Sequence, residues 1–137
     1  MRRTSVLLLA LAAVAAVAAA APGSIWAGVY TTAQAARGQK AYLADCAECH
    51  GEALRGIDDA LPLVDQVFLK KWTGKSVGHL VDVTRRTMPT DSPGTISRQV
   101  CTDIVAYVLS VNGFPAGQRE LAPATVLLKQ ILIEPKK

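Results

Sequence analysis

The stretch Cys46-Ala47-Glu48-Cys49-His50 decides how the rest of this 137-residue chain is read. Two thiols separated by two residues and followed at once by an imidazole can fix both vinyl groups of a haem as thioethers. The histidine then reaches the iron from the same short turn. Three other readings compete for the same pentapeptide. A structural zinc site needs a second ligand pair, and beyond these residues the chain offers only Cys101 and His79, each alone. A thioredoxin-like pair sits where a strand runs into a helix, whereas the residues before Cys46 carry a helical pattern. A chance match is the third, and the search for a sixth iron ligand tests it.

Iron held by His50 needs a ligand on its other face, and thioether sulfur favours the ferrous state and raises the reduction potential. Apart from Met1 the chain has one methionine, Met88, in RRTMPTDSPG. A lone methionine usually fills a core. Here Pro89, Pro93 and Gly94 make its surroundings a loop off any apolar helical stripe, stiff enough to hold a sulfur in place. The other histidine, His79, falls in SVGHLVDVTRR, where Ser76 caps a helix through about Arg86 and Val77, Leu80, Val81 and Val83 mark its inner side. His79 is expected at an edge or in solvent. Bis-histidine ligation through it is the alternative, and would leave the Met88 loop without a purpose.

Two more helices frame the motif. TTAQAARGQKAYLADCAECH starts at a Thr31 or Thr32 cap and carries Ala35, Ala36, Tyr42 and Leu43 at near-helical spacing. Gly38 inside it costs roughly 1 kcal/mol relative to alanine, which points to a close helix crossing. The expected partner is SRQVCTDIVAYVLSVNG, with Ser97 as cap, Val100, Ile104, Tyr107, Val108 and Val111 in register, and Asn112-Gly113 as stop. Gly38 is expected against Tyr107. Cys101 on this helix reads as a small buried hydrophobe rather than a disulfide partner. Between the two helices, Leu54, Leu61, Leu63, Val67, Phe68 and Trp72 suggest a loop and a short helix beside the histidine. A carbonyl at Pro62 is expected to accept the second imidazole N–H, and Trp72 to pack or to hydrogen-bond a haem propionate. LLKQILI near the C-terminus reads as a short helix or an edge strand.

The N-terminus combines Arg2 and Arg3, an apolar run and small residues, the three parts of a secretory signal peptide cut after Ala20. An uncleaved anchor is the competing reading, but Val6 to Ala21 is short for a span of about 20 residues and rich in alanine. Without Arg2 and Arg3 the 15 basic residues fall to 13 against 11 acidic, a net charge of about +2 in place of +4. So modest a balance, with no basic run interleaved with aromatics, excludes nucleic-acid binding. The closing Lys136-Lys137 pair reads as a solvated tail.

CAECHG, TMPTDSPGTIS and DIVAYVLSVNGFPAG, in that order, resemble the class I cytochrome c family. With WAGVYTTAQAARG and FPAGQREL the likeness spans roughly residues 26 to 121 and is closest to the small periplasmic monohaem cytochromes, and fused cytochrome domains, that accompany quinoprotein and molybdenum dehydrogenases. The resemblance implies an all-α class I cytochrome c fold around one covalent haem c, with Cys46 and Cys49 as attachment sites and His50 and Met88 as axial ligands. The expected layout is signal peptide 1–20, N-terminal extension 21–30, cytochrome c domain 31–118 and a C-terminal extension 119–137 packed on or trailing it. LPLVDQVF departs from the pattern: similar proteins often carry glycine a few residues before the phenylalanine, where this chain has Asp65, which puts the local backbone and the Pro62 carbonyl in doubt.

With both axial positions filled and two histidines in the chain, catalysis by this chain alone is not expected. The function expected is one-electron carriage in the periplasm, with a dehydrogenase as donor, a cytochrome or terminal oxidase as acceptor, and no membrane span after signal cleavage. Lys70, Lys71, Lys75, Arg85 and Arg86 are candidates for steering toward an acidic partner, against ordinary solvation. Two alternatives remain: a dedicated, non-exchanging subunit of a dehydrogenase complex, and a haem enzyme or gas sensor in which Met88 is displaced.

Overall fold

The computed structural model describes residues 23–135, so the expected signal peptide, 1–20, and the Lys136-Lys137 pair lie outside the described residues. Six helices follow in order: α1 (Thr32–Asp45), α2 (Ala47–His50), α3 (Asp65–Trp72), α4 (Val77–Thr87), α5 (Arg98–Val111) and α6 (Thr125–Lys129). A 3-10 turn, Ile25–Ala27, precedes them. The fold is all-α; among the described residues β pairing is limited to isolated bridges at Leu132.

The helix starts follow side-chain chemistry. The hydroxyls of Thr31, Ser76 and Ser97 accept hydrogen bonds from the amides of Gln34, His79 and Val100, satisfying donors that the first turn of a helix leaves free. Asn112 closes α5 and Gly113 follows in the left-handed region at φ 81°, a stop that glycine adopts without strain. α4 runs one residue beyond the expected Arg86, to Thr87, with Met88 in the extended backbone that follows.

α1 crosses α5 at Gly38, but one turn away from the expected contact. A Cβ at Gly38 would lie 1.8 Å from the carbonyl oxygen of Asp103, while Tyr107 meets Tyr42, ring centroids 5.4 Å apart. Asp103 and Tyr107 share a face of α5, four residues apart. Periodicity identifies that face and leaves open which turn is crossed. Leu43 also departs from expectation: it is exposed, and the inner face of α1 is Gln34, Ala35, Gly38 and Tyr42.

Gln34, a buried polar residue, ties this crossing to the C-terminal segment. Its amide nitrogen donates to Asp103 Oδ1 (3.0 Å) and to the carbonyl of Leu121 (3.0 Å), and its oxygen accepts from the Leu121 amide (2.8 Å). Arg37 bridges Asp103 and Glu120 at the rim. Every polar atom of the Gln34 amide group is thereby used, as burial demands.

The LLKQILI stretch is a helix followed by an extended strap. α6 lies on α4 at Gly78, where a Cβ would come within 2.8 Å of the Lys129 amide nitrogen. Residues 131–133 then run between the start of the described chain and the α3–α4 turn. Leu132 exchanges backbone hydrogen bonds with Gly23 and Ile25, and Ile131 and Ile133 pair with Val77, Gly74 and Lys75. Among the described residues no helix is long and apolar enough to cross a membrane.

Candidate functional site

α1 ends at Cys46, whose φ of −130° breaks the helix while its amide still donates to the Tyr42 carbonyl. The chain rewinds at once into the single turn α2, so Cys46, Cys49 and His50 share one compact corner. His50 N and Gly51 N donate to the carbonyls of Cys46 and Ala47 (2.9 Å each). Tyr42 braces the corner from inside α1: its hydroxyl donates to the Gly51 carbonyl at 2.7 Å. Burial first, then the neighbouring Cys46 and Tyr107, push the Tyr42 pKa upward, which keeps that donor protonated.

The following loop folds back over the turn. Gly56 N donates to the His50 carbonyl (2.8 Å), Ile57 N to the Cys49 carbonyl (2.9 Å) and Leu63 N to the Leu54 carbonyl (2.8 Å). Gly56 sits at φ +79° with the Ala60 carbonyl oxygen 2.1 Å from where a Cβ would be, so the loop closes this tightly only with glycine.

The imidazole acceptor is Leu61, correcting the expectation of Pro62. His50 Nδ1 lies 2.9 Å from the Leu61 carbonyl oxygen. The peptide unit without an amide hydrogen is the one joining Leu61 to Pro62, and its oxygen belongs to Leu61. Proline also holds the residue before it extended. A carbonyl only accepts, so Nδ1 carries the proton and Nε2 keeps its lone pair for a metal.

Asp65 explains the departure noted in LPLVDQVF. Its φ is 59°, the left-handed region that glycine enters freely and aspartate at some cost. Asn112 offsets that cost from the end of α5, accepting from the Asp65 amide (3.1 Å) and donating to the Leu63 carbonyl (2.9 Å). Neither sequence period nor composition marks Asn112 for this task; its only visible signal is the helix stop.

The donor set fits a covalently held haem. Cys46 and Cys49 are free thiols, the first half-buried and the second exposed, beside an imidazole whose second nitrogen is already committed. It does not fit zinc: among the described residues no three His, Cys, Asp or Glu side chains are placed to hold one ion. Met88 is half-buried at the end of α4, its amide donating to the Thr84 carbonyl at 2.9 Å. Trp72 closes α3 in the core beside the exposed His79, ring centroids 5.9 Å apart, with the Lys71 and Lys75 ammonium groups over its ring. Cys101 is fully buried, and its thiol pKa is raised by that burial.

Burial, with Asp45 and Cys101 adding to it, pushes the Cys46 thiol up to about 11 from 9.0. In protein without haem this predicts about a hundredfold less Cys46 thiolate at pH 8 than an unperturbed thiol gives. Iodoacetamide labelling, read by mass spectrometry, should therefore leave Cys46 for last of the CAECH pair below pH 9. The folded form prefers the protonated thiol, so this stabilising contribution is full below pH 9 and fades as the pH rises through about 11. Equal labelling rates for the two thiols at pH 8 would contradict the burial of Cys46.

Comparison with known proteins adds the following. Residues 33–108 match the protein family described as cytochrome c oxidase, cbb3-type, subunit III. No curated protein matches the chain. Among solved structures, it is similar to a chain in the crystal structure of the sulfane dehydrogenase SoxCD from Paracoccus pantotrophus, with 22% identity and a TM-score of 0.52. The similarity covers 78% of this chain and 61% of that one, and at this identity it speaks to the fold.

Proposed function

The chain belongs to the family described as cytochrome c oxidase, cbb3-type, subunit III, a family of c-type cytochrome domains, and from that membership we propose that it is an exported, periplasmic monohaem cytochrome c that carries single electrons from a dehydrogenase to a downstream acceptor. Cys46 and Cys49 would hold the haem through thioethers, with His50 Nε2 and Met88 Sδ as axial ligands. When bound, the haem supplies a reversible one-electron change at its iron. The protein's part is to hold donor atoms still. The Leu61 carbonyl fixes the plane and tautomer of His50, the Tyr42 hydroxyl pins the backbone just after it, and Pro89 and Pro93 stiffen the segment that carries Met88. Ligands that barely move between oxidation states keep electron exchange fast. The observation that carries this reading is the CAECH turn with its histidine locked by Leu61.

The test is the absorption spectrum of protein matured with haem, beside Met88→Ala. A c-type reduced spectrum is expected in both, with a weak far-red band in the oxidised parent that the variant lacks. The variant should bind carbon monoxide when reduced, and its reduction potential should fall by on the order of 100 mV. A far-red band that survives Met88→Ala would remove Met88 from the iron. Carbon monoxide binding by the parent would favour a haem enzyme or sensor.

A second reading, a dedicated cytochrome subunit of a dehydrogenase complex, is favoured by the fold shared with a chain of a sulfane dehydrogenase. Under it, the protein purified from its native source would stay with its enzyme through gel filtration in high salt.

A further inference from the structure

Charge among the described residues is balanced in sum and segregated along the sequence. Setting aside Arg2, Arg3, Lys136 and Lys137 leaves 11 of the 15 basic residues, against 11 acidic ones. Six of those acids, Asp45, Glu48, Glu52, Asp58, Asp59 and Asp65, fall within the 21 residues that contain the CAECH turn and its covering loop, with Arg55 the single basic residue among them. All six are exposed. Arg55 pairs with Asp65 at 2.9 Å, and among the described residues no ion pair engages the other five. Lys70 and Lys71 lie in the last turn of α3, and Lys71 and Lys75 pack over the Trp72 ring.

The acidic segment also presents apolar surface. Ile57 is 48% exposed and Leu61 54% exposed. Both belong to the loop tied to the turn, Ile57 through the Cys49 carbonyl and Leu61 through His50 Nδ1. Leu61 thus approaches the imidazole at the nitrogen away from the iron. Cys49, the exposed thiol of the pair, is followed by the loop that carries Ile57, whose amide donates to the Cys49 carbonyl, and is preceded by the exposed Glu48. Exposed aliphatic side chains on a segment rich in unpaired carboxylates match the usual composition of a transient docking face, an apolar centre with a charged rim.

Building on the electron-carrier reading, we infer that electrons cross at the Cys49 edge, and that this face takes a protein partner whose docking surface is basic around an apolar centre. Lys70 and Lys71, in the last turn of α3, and Lys75 beyond it lie outside that acidic segment and serve as its control.

The experiment uses haem-loaded full-length protein, reduced and then oxidised in a stopped-flow instrument by two one-electron reagents of opposite charge. Tris(phenanthroline)cobalt(III) is the cation and hexacyanoferrate(III) the anion; each takes one electron from the protein. Lowering the ionic strength from about 0.2 M to about 0.02 M should raise the cobalt rate at least about threefold and lower the hexacyanoferrate rate comparably, because screening weakens. Glu48→Lys, Asp58→Lys and Asp59→Lys together should reverse both salt dependences with an unchanged haem spectrum. Lys70→Glu with Lys71→Glu should leave them in place. The inference is overturned if the parent shows the opposite salt dependence or none, or if the lysine variant rather than the acidic one reverses it. Protein that carries no covalent haem, or exchanges electrons with neither reagent, would overturn the carrier reading itself and the docking face with it.

Discussion

Gly38→Ala should lower the melting temperature of the haem-loaded protein by on the order of 15 °C, equivalent to a loss of at least about 3 kcal/mol. Two terms of opposite sign decide this. Alanine is the better helix former by about 1 kcal/mol, which would stabilise α1 in isolation. At the crossing, though, the new methyl would stand 1.8 Å from the Asp103 carbonyl oxygen, 2.4 Å from its carbon and 3.0 Å from the Ile104 nitrogen. All three are backbone atoms of α5, so no side chain can rotate aside and the helices must separate. Separation would also draw Tyr42 from Tyr107 and stretch the bonds from Gln34 and Arg37 to Asp103. Far-ultraviolet circular dichroism melts would check the shift. A melting temperature equal to the parent's would mean that α1 and α5 do not meet at Gly38.

Replacing both thiols of CAECH, Cys46→Ala with Cys49→Ala, should take covalently held haem from full occupancy to none. Without a thioether, axial ligation alone holds the haem, and acidified acetone should extract all of it, leaving a colourless protein. Each single variant should retain one thioether and stay coloured after the same treatment. The two singles should differ in yield. Cys46 is half-buried against the core, so its loss also removes packing, whereas exposed Cys49 contributes little besides its sulfur. Haem that survives extraction from the double variant would place the attachment outside CAECH.

The helices and the compact turn at CAECH were open to reading in the sequence because their signals are local. Caps at Thr31, Ser76 and Ser97, the stop at Asn112-Gly113 and the CAECH spacing each lie within one turn of the feature they specify. What required the structure is register and long-range pairing. Gly38 announced a close crossing with α5 but not the turn that meets it, since every turn of the α5 face satisfies the same periodicity. The imidazole acceptor was misplaced by one residue, because the distinctive peptide unit is shared between Leu61 and Pro62. Gln34 gave no signal at all: a glutamine on a helix near its start reads as solvated surface until Asp103 and Leu121, far along the chain, close over it. The positive φ of Asp65 was foreshadowed only through the resemblance, as a place where glycine is usual.

The strap at residues 131–133 has an architectural consequence. By pairing with Gly23 and Ile25 it brings the two ends of the described chain together, and Trp26 fastens them further through its indole N–H to the carbonyls of Glu134 and Pro135. Polypeptide continuing from either end departs from the same corner, held by the backbone of both. The domain is in this respect a plug-in cassette: it can be spliced into a surface loop of another protein, or circularly permuted through a short linker, without asking α1 or α5 to move.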